Sequence, residues 1–343
     1  MREHAVLGAI VGGSRELPGR AHRFSKPRTS LRRRGRAGLV AWIVLAHALL
    51  PAALACAEDS RPAATAPRFD AQRAFLDLRD LVAIGPRPAG SAGAARTREL
   101  IRTRMTQVGW VVASHAFSAG PPGADPIAME NLIATRRGRS DATLVLAAHY
   151  DTKPIPGIEF VGANDGASGV ALLLELARAL GPEPSEHTIQ MFFFDGEEAV
   201  GPSIVASDGL FGSRALAQKM VGDGTLSQVR DLILFDMVAD RDLNLATDLN
   251  SAPRLREVWR RHAGALLDPA HRMSVVDDHI PFRDAGLDSV LLVIDFQYGA
   301  RVTPGPTWHT ASDTLAAVSA ESLGAVGQAA VELVIDLDSA GAR

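Results

Sequence analysis

The sequence predicts an α/β fold: a single three-layer domain with a mostly parallel central sheet and helices on both faces. Three observations carry that expectation. Short, continuous apolar runs recur along the chain, longer helical patterns alternate with them, and no internal repeat interrupts the alternation. A run that is apolar at every position suits a strand buried on both faces. Strands separated by helices pair in parallel, because a parallel crossover needs the intervening chain.

The chain starts with a segment of different character. Before Gly38 it carries ten Lys and Arg against two Glu, and an uncharged apolar run then extends from Gly38 to Ala55, ending Ala53-Leu54-Ala55. A basic start, an apolar stretch and an Ala-x-Ala site are the parts of a secretory signal. The run is also about as long as the shortest membrane span, roughly 17 residues. Residues 1–55 are therefore expected to be a signal peptide or, as the other reading, a retained membrane anchor. The basic stretch is long for a signal, which leaves room for a true start downstream of Met1. The protein is expected to be exported, to the periplasm or beyond. Cys56 is the only cysteine, so no internal disulfide is available and stability must come from a core. Cys56 also stands where a lipid could be attached, although Ala53 occupies the place at which a lipoprotein signal usually carries Leu. Residues 56–68, rich in Ala, Pro and Ser, read as a linker, and residues 69–343 as the folded domain.

Within that domain, Phe75, Leu76, Leu78, Leu81 and Val82 share a helical face before Gly85-Pro86-Arg87-Pro88 ends the helix, and a second helix is expected from Ala95 to Val108. Strands are expected at Trp110–Val112, Leu144–Ala148, Ile189–Phe194, Leu232–Phe235 and Val290–Ile294. Helices are expected at Gly169–Leu180, Phe211–Met220, Ala252–Ala263 and Ala320–Leu337.

In open α/β sheets ligands bind beyond the carboxyl ends of the strands. The run Leu144–Ala148 leads into His149-Tyr150-Asp151, with Asp165 following in a Gly-rich loop. Ile189–Phe194 leads into Asp195-Gly196-Glu197-Glu198, and Leu232–Phe235 into Asp236. Beyond the last strand come Trp308 and His309. A strand-end Asp often caps a helix, and a lone His is more often structural than ligating. Several carboxylates at one sheet edge without a counter-charge would repel one another and lose hydration, at a cost of several kcal/mol. A divalent cation resolves that cost, and mixed imidazole and carboxylate ligands without thiolate suit zinc with an open position. Glu197 and Glu198 are adjacent, so their side chains point differently and one can ligate while the other moves protons. Asp151, two residues after His149, is well placed to orient that imidazole.

His149-Tyr150-Asp151, Asn164-Asp165-Gly166-Ala167-Ser168-Gly169, Phe194-Asp195-Gly196-Glu197-Glu198-Ala199, Asp236, Asp277-Asp278-His279-Ile280-Pro281-Phe282 and Trp308-His309-Thr310 together resemble the M28 zinc aminopeptidase superfamily. The resemblance spans about Phe69 to Leu337. Two chemistries share that scaffold. The aminopeptidase pattern implies two zinc ions, with His149 and Asp236 on one, Asp165 bridging, Glu198 and His309 as further ligands, and Glu197 as general base. Animal-type glutaminyl-peptide cyclotransferases imply one zinc ion, held here by Asp165, Glu198 and His309.

The stretch from Phe193 to Ala199, the segment Asp208-Gly209-Leu210-Phe211-Gly212-Ser213-Arg214, the Asp277–Phe282 motif and Trp308 directly before His309 are closer to the cyclotransferase branch. That branch implies an enzyme that converts the N-terminal glutamine of peptides or proteins to pyroglutamate and releases ammonia. Glu197 would carry the proton, Asp236 and Asp277 would form a carboxylate network with it, and Trp308 would flank the glutamine. The peptidase alternative hydrolyses the first peptide bond with the same residues, and a binding protein that has lost catalysis is a third reading. The branch usually carries a tryptophan shortly after the double Glu, where this chain has Gly201-Pro202-Ser203, and an aromatic where it has Thr303-Pro304-Gly305-Pro306. A less aromatic pocket is implied, with selectivity expected to depend on the loops Pro154–Gly162 and Gly299–Pro306.

The remaining histidines point nowhere in particular. His187, His262 and His271 are expected to be solvent-exposed, and His279 to be structural. The formal charge of −3 conceals an acidic domain behind the basic leader, and no Gly-rich phosphate-binding pattern is present, so nucleic acid is not expected as a partner.

Overall fold

The computed structural model describes residues 67–340. The signal or anchor expected over residues 1–55, the lipid site considered at Cys56 and nearly all of the 56–68 linker lie outside the described residues. Two helices open the fold, α1 (Ala71–Ala83) and α2 (Ala92–Gln107). The Asp70 side chain accepts from the Gln72 and Arg73 N–H groups at the start of α1. Ser91 does the same for Ala94, which is why α2 begins a turn earlier than its apolar pattern indicates. Among the described residues no helix is long and apolar enough to cross a membrane.

Eight strands follow, interleaved with the remaining helices: β1 (Val111–Ala119), β2 (Ile127–Arg136), β3 (Ser140–His149), α3 (Ala167–Ala179), β4 (His187–Phe194), α4 (Phe211–Gly222), β5 (Val229–Asp236), β6 (Leu245–Asp248), α5 (Pro253–Ala263), β7 (Leu267–Met273), α6 (His279–Asp284), β8 (Val290–Ile294) and α7 (Ala320–Ser339). Six of the strands form one sheet in the order β1-β2-β4-β3-β5-β8. β4, β3, β5 and β8 run parallel, and β2 and β1 add antiparallel at one edge. β6 and β7 make a separate parallel pair.

The parallel strands sort their side chains with period two, as a pleated backbone requires. Leu144, Leu146, Ala148, Ile233, Phe235, Leu291 and Val293 face one core together with α1, α2, α3, α5 and α7. Val145, Ala147, Leu232, Leu234, Val290 and Leu292 face a second core with α4 and α6. Helices therefore cover both faces, which is the three-layer arrangement expected. α3 lies close on the sheet at Gly169, where a Cβ would fall 2.3 Å from the Phe235 carbonyl oxygen.

Three features depart from the sequence expectations. The run Trp110–Val112 does not make a strand buried on both faces: β1 is an edge, with Val111 72% exposed, and only Trp110 is buried. β2 carries Glu130 and Asn131 within an apolar stretch, so no continuous run announces it, yet Asn131 is buried and holds the Gly212 carbonyl and the Asp195 N–H. His187 and His271 are buried rather than exposed. His187 sits between Asp338 and Arg230, and the His271 ring packs against the Asn244 carbonyl, so each finds partners that sequence neighbours do not reveal.

Candidate metal centre and active site

The carboxyl ends of β3, β4 and β5 deliver the charged residues to one place. His149 closes β3, with Nε2 3.2 Å from Asp236 Oδ1 at the end of β5 and 3.3 Å from Asp165 Oδ1. Asp165 stands in the turn between β3 and α3. Gly166, at φ +89°, makes that turn possible, since a Cβ there would meet the Asp151 carbonyl oxygen at 2.6 Å. On its other side Asp165 presents Oδ2 at 3.3 Å from His309 Nε2, and Glu198 Oε1 lies 3.1 Å from the same nitrogen.

Asp165, Glu198 and His309 thus offer three ligand atoms within 4.8 Å of one another, and so do His149, Asp165 and Asp236. Two oxygens from buried carboxylates and an imidazole nitrogen from the half-buried His309 fit zinc, whose ligand sets they match in type and number. The charges of the site make the same point. Burial raises Glu197, Glu198 and Asp236, and the neighbouring carboxylates push them further. Burial also acts to raise Asp165, but its contacts with His149 and His309 prevail and hold it below the usual carboxylate range. A cation balances such a cluster.

Backbone clamps hold the cradle. Asp151 lies 3.6 Å from His149 Nδ1, beyond hydrogen-bond reach. Its carboxylate instead accepts from the N–H groups of Glu197 at 3.1 Å and Glu198 at 3.2 Å. Asp151 thus faces the Nδ1 side of the imidazole and, beyond what the sequence indicates, fixes the double-Glu turn. Asp313 accepts from the N–H groups of Asn164 at 2.8 Å and Asp165 at 3.1 Å. Arg87, fully buried, donates to the carbonyls of Tyr150, Val161 and Gly162, and burial lowers its pKa to about 10. Sequence reasoning missed Asp313 and Arg87. The only signal for Asp313 is its place four residues after His309, and Arg87 looks like an ordinary turn residue.

A pocket of about 240 Å³ opens beside the ligands and brings Glu197, Asp236, Asp277 and Trp308 together. Trp308 stacks on the His309 ring with centroids 3.8 Å apart. Phe296 packs edge-on against Trp308 at 5.2 Å, so the aromatic missing from the Thr303–Pro306 stretch is supplied from further upstream. Lys153 places Nζ 3.7 Å from Glu198 Oε2 and donates to the Ala199 carbonyl. Asp277 is buried, its Oδ1 accepts from the Asp278 N–H at 2.6 Å and its Oδ2 has no partner. Burial and then the Asp236 charge push the Asp277 carboxyl up to about 7.

The walls come from Pro202–Ile204 and Met273–Asp277, not from the Pro154–Gly162 and Gly299–Pro306 loops expected to set selectivity. The 200–208 loop is closed on itself: the Asp208 carboxylate accepts from the Val200 and Gly201 N–H groups, while Val205 and Asp208 exchange backbone bonds.

The model of peptidase family M28 matches residues 131–334, a span that contains every ligand candidate just described. The chain belongs to that family. It is 30% identical to the glutaminyl-peptide cyclotransferase of Drosophila melanogaster over 278 residues, 71% of this chain and 75% of that one. It is 33% identical to the glutaminyl-peptide cyclotransferase-like protein of Mus musculus over 285 residues, 72% and 70% of the two chains. The crystal structure of an Acidobacteriales bacterium glutaminyl cyclase superimposes with a TM-score of 0.74 at 37% identity, covering 81% of this chain and 98% of that one. Within M28, the similarity thus runs to proteins of the cyclotransferase branch.

Proposed function

We propose that the protein is a zinc-dependent glutaminyl-peptide cyclotransferase, an acyltransferase that converts an N-terminal glutamine of a peptide or protein to pyroglutamate and releases ammonia. The observation that carries this reading is Asp277, a buried carboxyl with an unpartnered oxygen in the pocket that holds Glu197 and Asp236. Relatives and a solved structure named for the same activity, at 30 to 37% identity, support it.

Zinc held by Asp165, Glu198 and His309 would supply Lewis acidity to the γ-carbonyl oxygen of the glutamine. Glu197 accepts a proton from the α-amine as that nitrogen attacks the γ-carbonyl carbon. It then donates the proton to the amide nitrogen as the C–N bond breaks and ammonia departs. Burial and the surrounding carboxylates hold the Glu197 carboxyl well above its ordinary value, which suits a group that must take and return a proton. Asp277 and Asp236 hold the substrate nitrogens against it. Trp308 and Phe296 flank the glutamine side chain and shut out water, which would otherwise hydrolyse the amide.

The second reading, a two-zinc aminopeptidase, is favoured by one observation: the His149, Asp165 and Asp236 donors are intact. The similarity to relatives and a solved structure named for cyclotransferase activity, at 30 to 37% identity, counts against it. We also propose that residues 1–55 direct export and that the 69–343 domain works outside the cytoplasm.

The deciding experiment is mass spectrometry of a peptide with N-terminal glutamine incubated with the zinc-loaded domain. Loss of ammonia from the otherwise intact peptide is expected, falling on the order of 10²- to 10⁴-fold in Glu197→Gln. Release of the free first residue would make the protein an aminopeptidase.

A further inference from the structure

We propose that an apolar groove beside the catalytic pocket holds the residues that follow the N-terminal glutamine and selects substrates with apolar side chains there. This rests on the cyclotransferase reading. The groove has a volume of about 760 Å³, against about 240 Å³ for the pocket. It lies between α4 and α6, with Val221 from the first helix and Ile280 from the second on its walls. Ile204 and Val276 line both spaces, so the rim of the pocket is also the rim of the groove.

A pocket of the smaller size takes one glutaminyl residue, and the rest of a peptide has to continue somewhere. The larger space adjoins the pocket at Ile204 and Val276. Val276 immediately precedes Asp277, and Leu210, on the groove wall, donates its N–H to the Glu197 carbonyl at 2.7 Å. The groove is thus built on the same two loops as the catalytic carboxyls.

Its chemistry favours an apolar occupant. Val205, Val221 and Val276 are 53%, 53% and 56% exposed, a grouping of large apolar side chains in water that a ligand would relieve. The two charged residues on the walls are already engaged: Arg214 donates to the Val205 and Ala206 carbonyls, and Asp284 pairs with Arg283. Its position against the pocket, sharing Ile204 and Val276 with it, favours the substrate chain over a second copy of the protein.

The test compares glutamine amide with two pentapeptides that begin with glutamine, one carrying Leu and Val at positions two to four and the other Ser and Asn. The intact enzyme should favour the apolar pentapeptide by about tenfold in kcat/KM, the value of burying one apolar side chain. Val221→Glu, and independently Val205→Glu, should each lower kcat/KM for that peptide about tenfold more than for glutamine amide. Turnover of all three substrates without that preference would overturn the groove and leave the cyclotransferase reading standing. No turnover of any of them would overturn both. Preference that survives Val221→Glu, with a dimer converted to monomer in sedimentation, would assign the groove to a second copy and overturn the proposal.

Discussion

Asp313 touches no ligand side chain, yet it decides where Asp165 points, because it accepts from the N–H groups of both Asn164 and Asp165. Burial, and then the charge of Asp165, pushes its own carboxyl up to about 7. Asp313→Ala should therefore release the turn and weaken zinc binding about 10- to 100-fold, the usual cost of losing an outer partner of a metal ligand. Competition with a chromophoric chelator measures it. The proposed ligands are legible in the sequence. Glu198 stands four residues beyond an apolar run, and Asp165 and His309 lie in the loops that follow two others, on the side where an α/β sheet gathers its chemistry. Asp313 and Arg87 are not legible, because their work is done on backbone groups distant in the chain, which no periodicity records. Asp151 is legible as the neighbour of His149, whose Nδ1 it faces, but its hold on the N–H groups of Glu197 and Glu198 is not, because only the folded turn brings them to its carboxylate.

The small β6–β7 pair and the helix α6 have their own hub in Asp248. Its Oδ1 accepts from the Val275 N–H at 3.1 Å, its Oδ2 from Ser251 Oγ at 2.7 Å, and His279 Nε2 lies 3.4 Å away. These contacts bracket Asp277 on both sides. Burial acts to raise Asp248, but His279, Ser251 and the Val275 N–H outweigh it and hold the carboxyl below its ordinary value. A carboxyl depressed by folding stabilises the native state above its unfolded pKa, about 3.9. That contribution disappears as the pH falls through the folded value. Asp248→Ala should cost about 3 kcal/mol at neutral pH, and the difference from the parent protein should shrink below pH 4 in urea titrations followed by circular dichroism. The parallel strands β3, β4, β5 and β8 can be read in advance because each contains at least four consecutive apolar residues. β6, β7 and α6 could not, because they are short, carry charged or polar residues and depend on Asp248 to stay together.

At the scale of the whole molecule, two cores on opposite faces of one sheet place a cluster of buried carboxylates at the sheet's edge, and the metal is part of what balances it. Removing zinc with a chelator should lower the melting temperature, by the equivalent of about 4 kcal/mol where free zinc had stood a thousandfold above its Kd. Calorimetry with and without zinc checks this. Metal analysis of the dialysed protein should return one zinc per chain, and two would favour the peptidase. The overall architecture is the most legible level, since alternating strands and helices permit few arrangements, whereas the pocket walls come from loops whose residues carry no pattern. One of those loops, residues 200–208, is tied mainly to itself through Asp208, while the turns that carry Asp165, Glu197 and Glu198 are held by Asp151, Asp313 and Arg87. Different contacts thus hold the recognition surface and the reactive centre, although the two adjoin: exchanging residues 202–206 is expected to retune which peptides are accepted while zinc affinity stays unchanged.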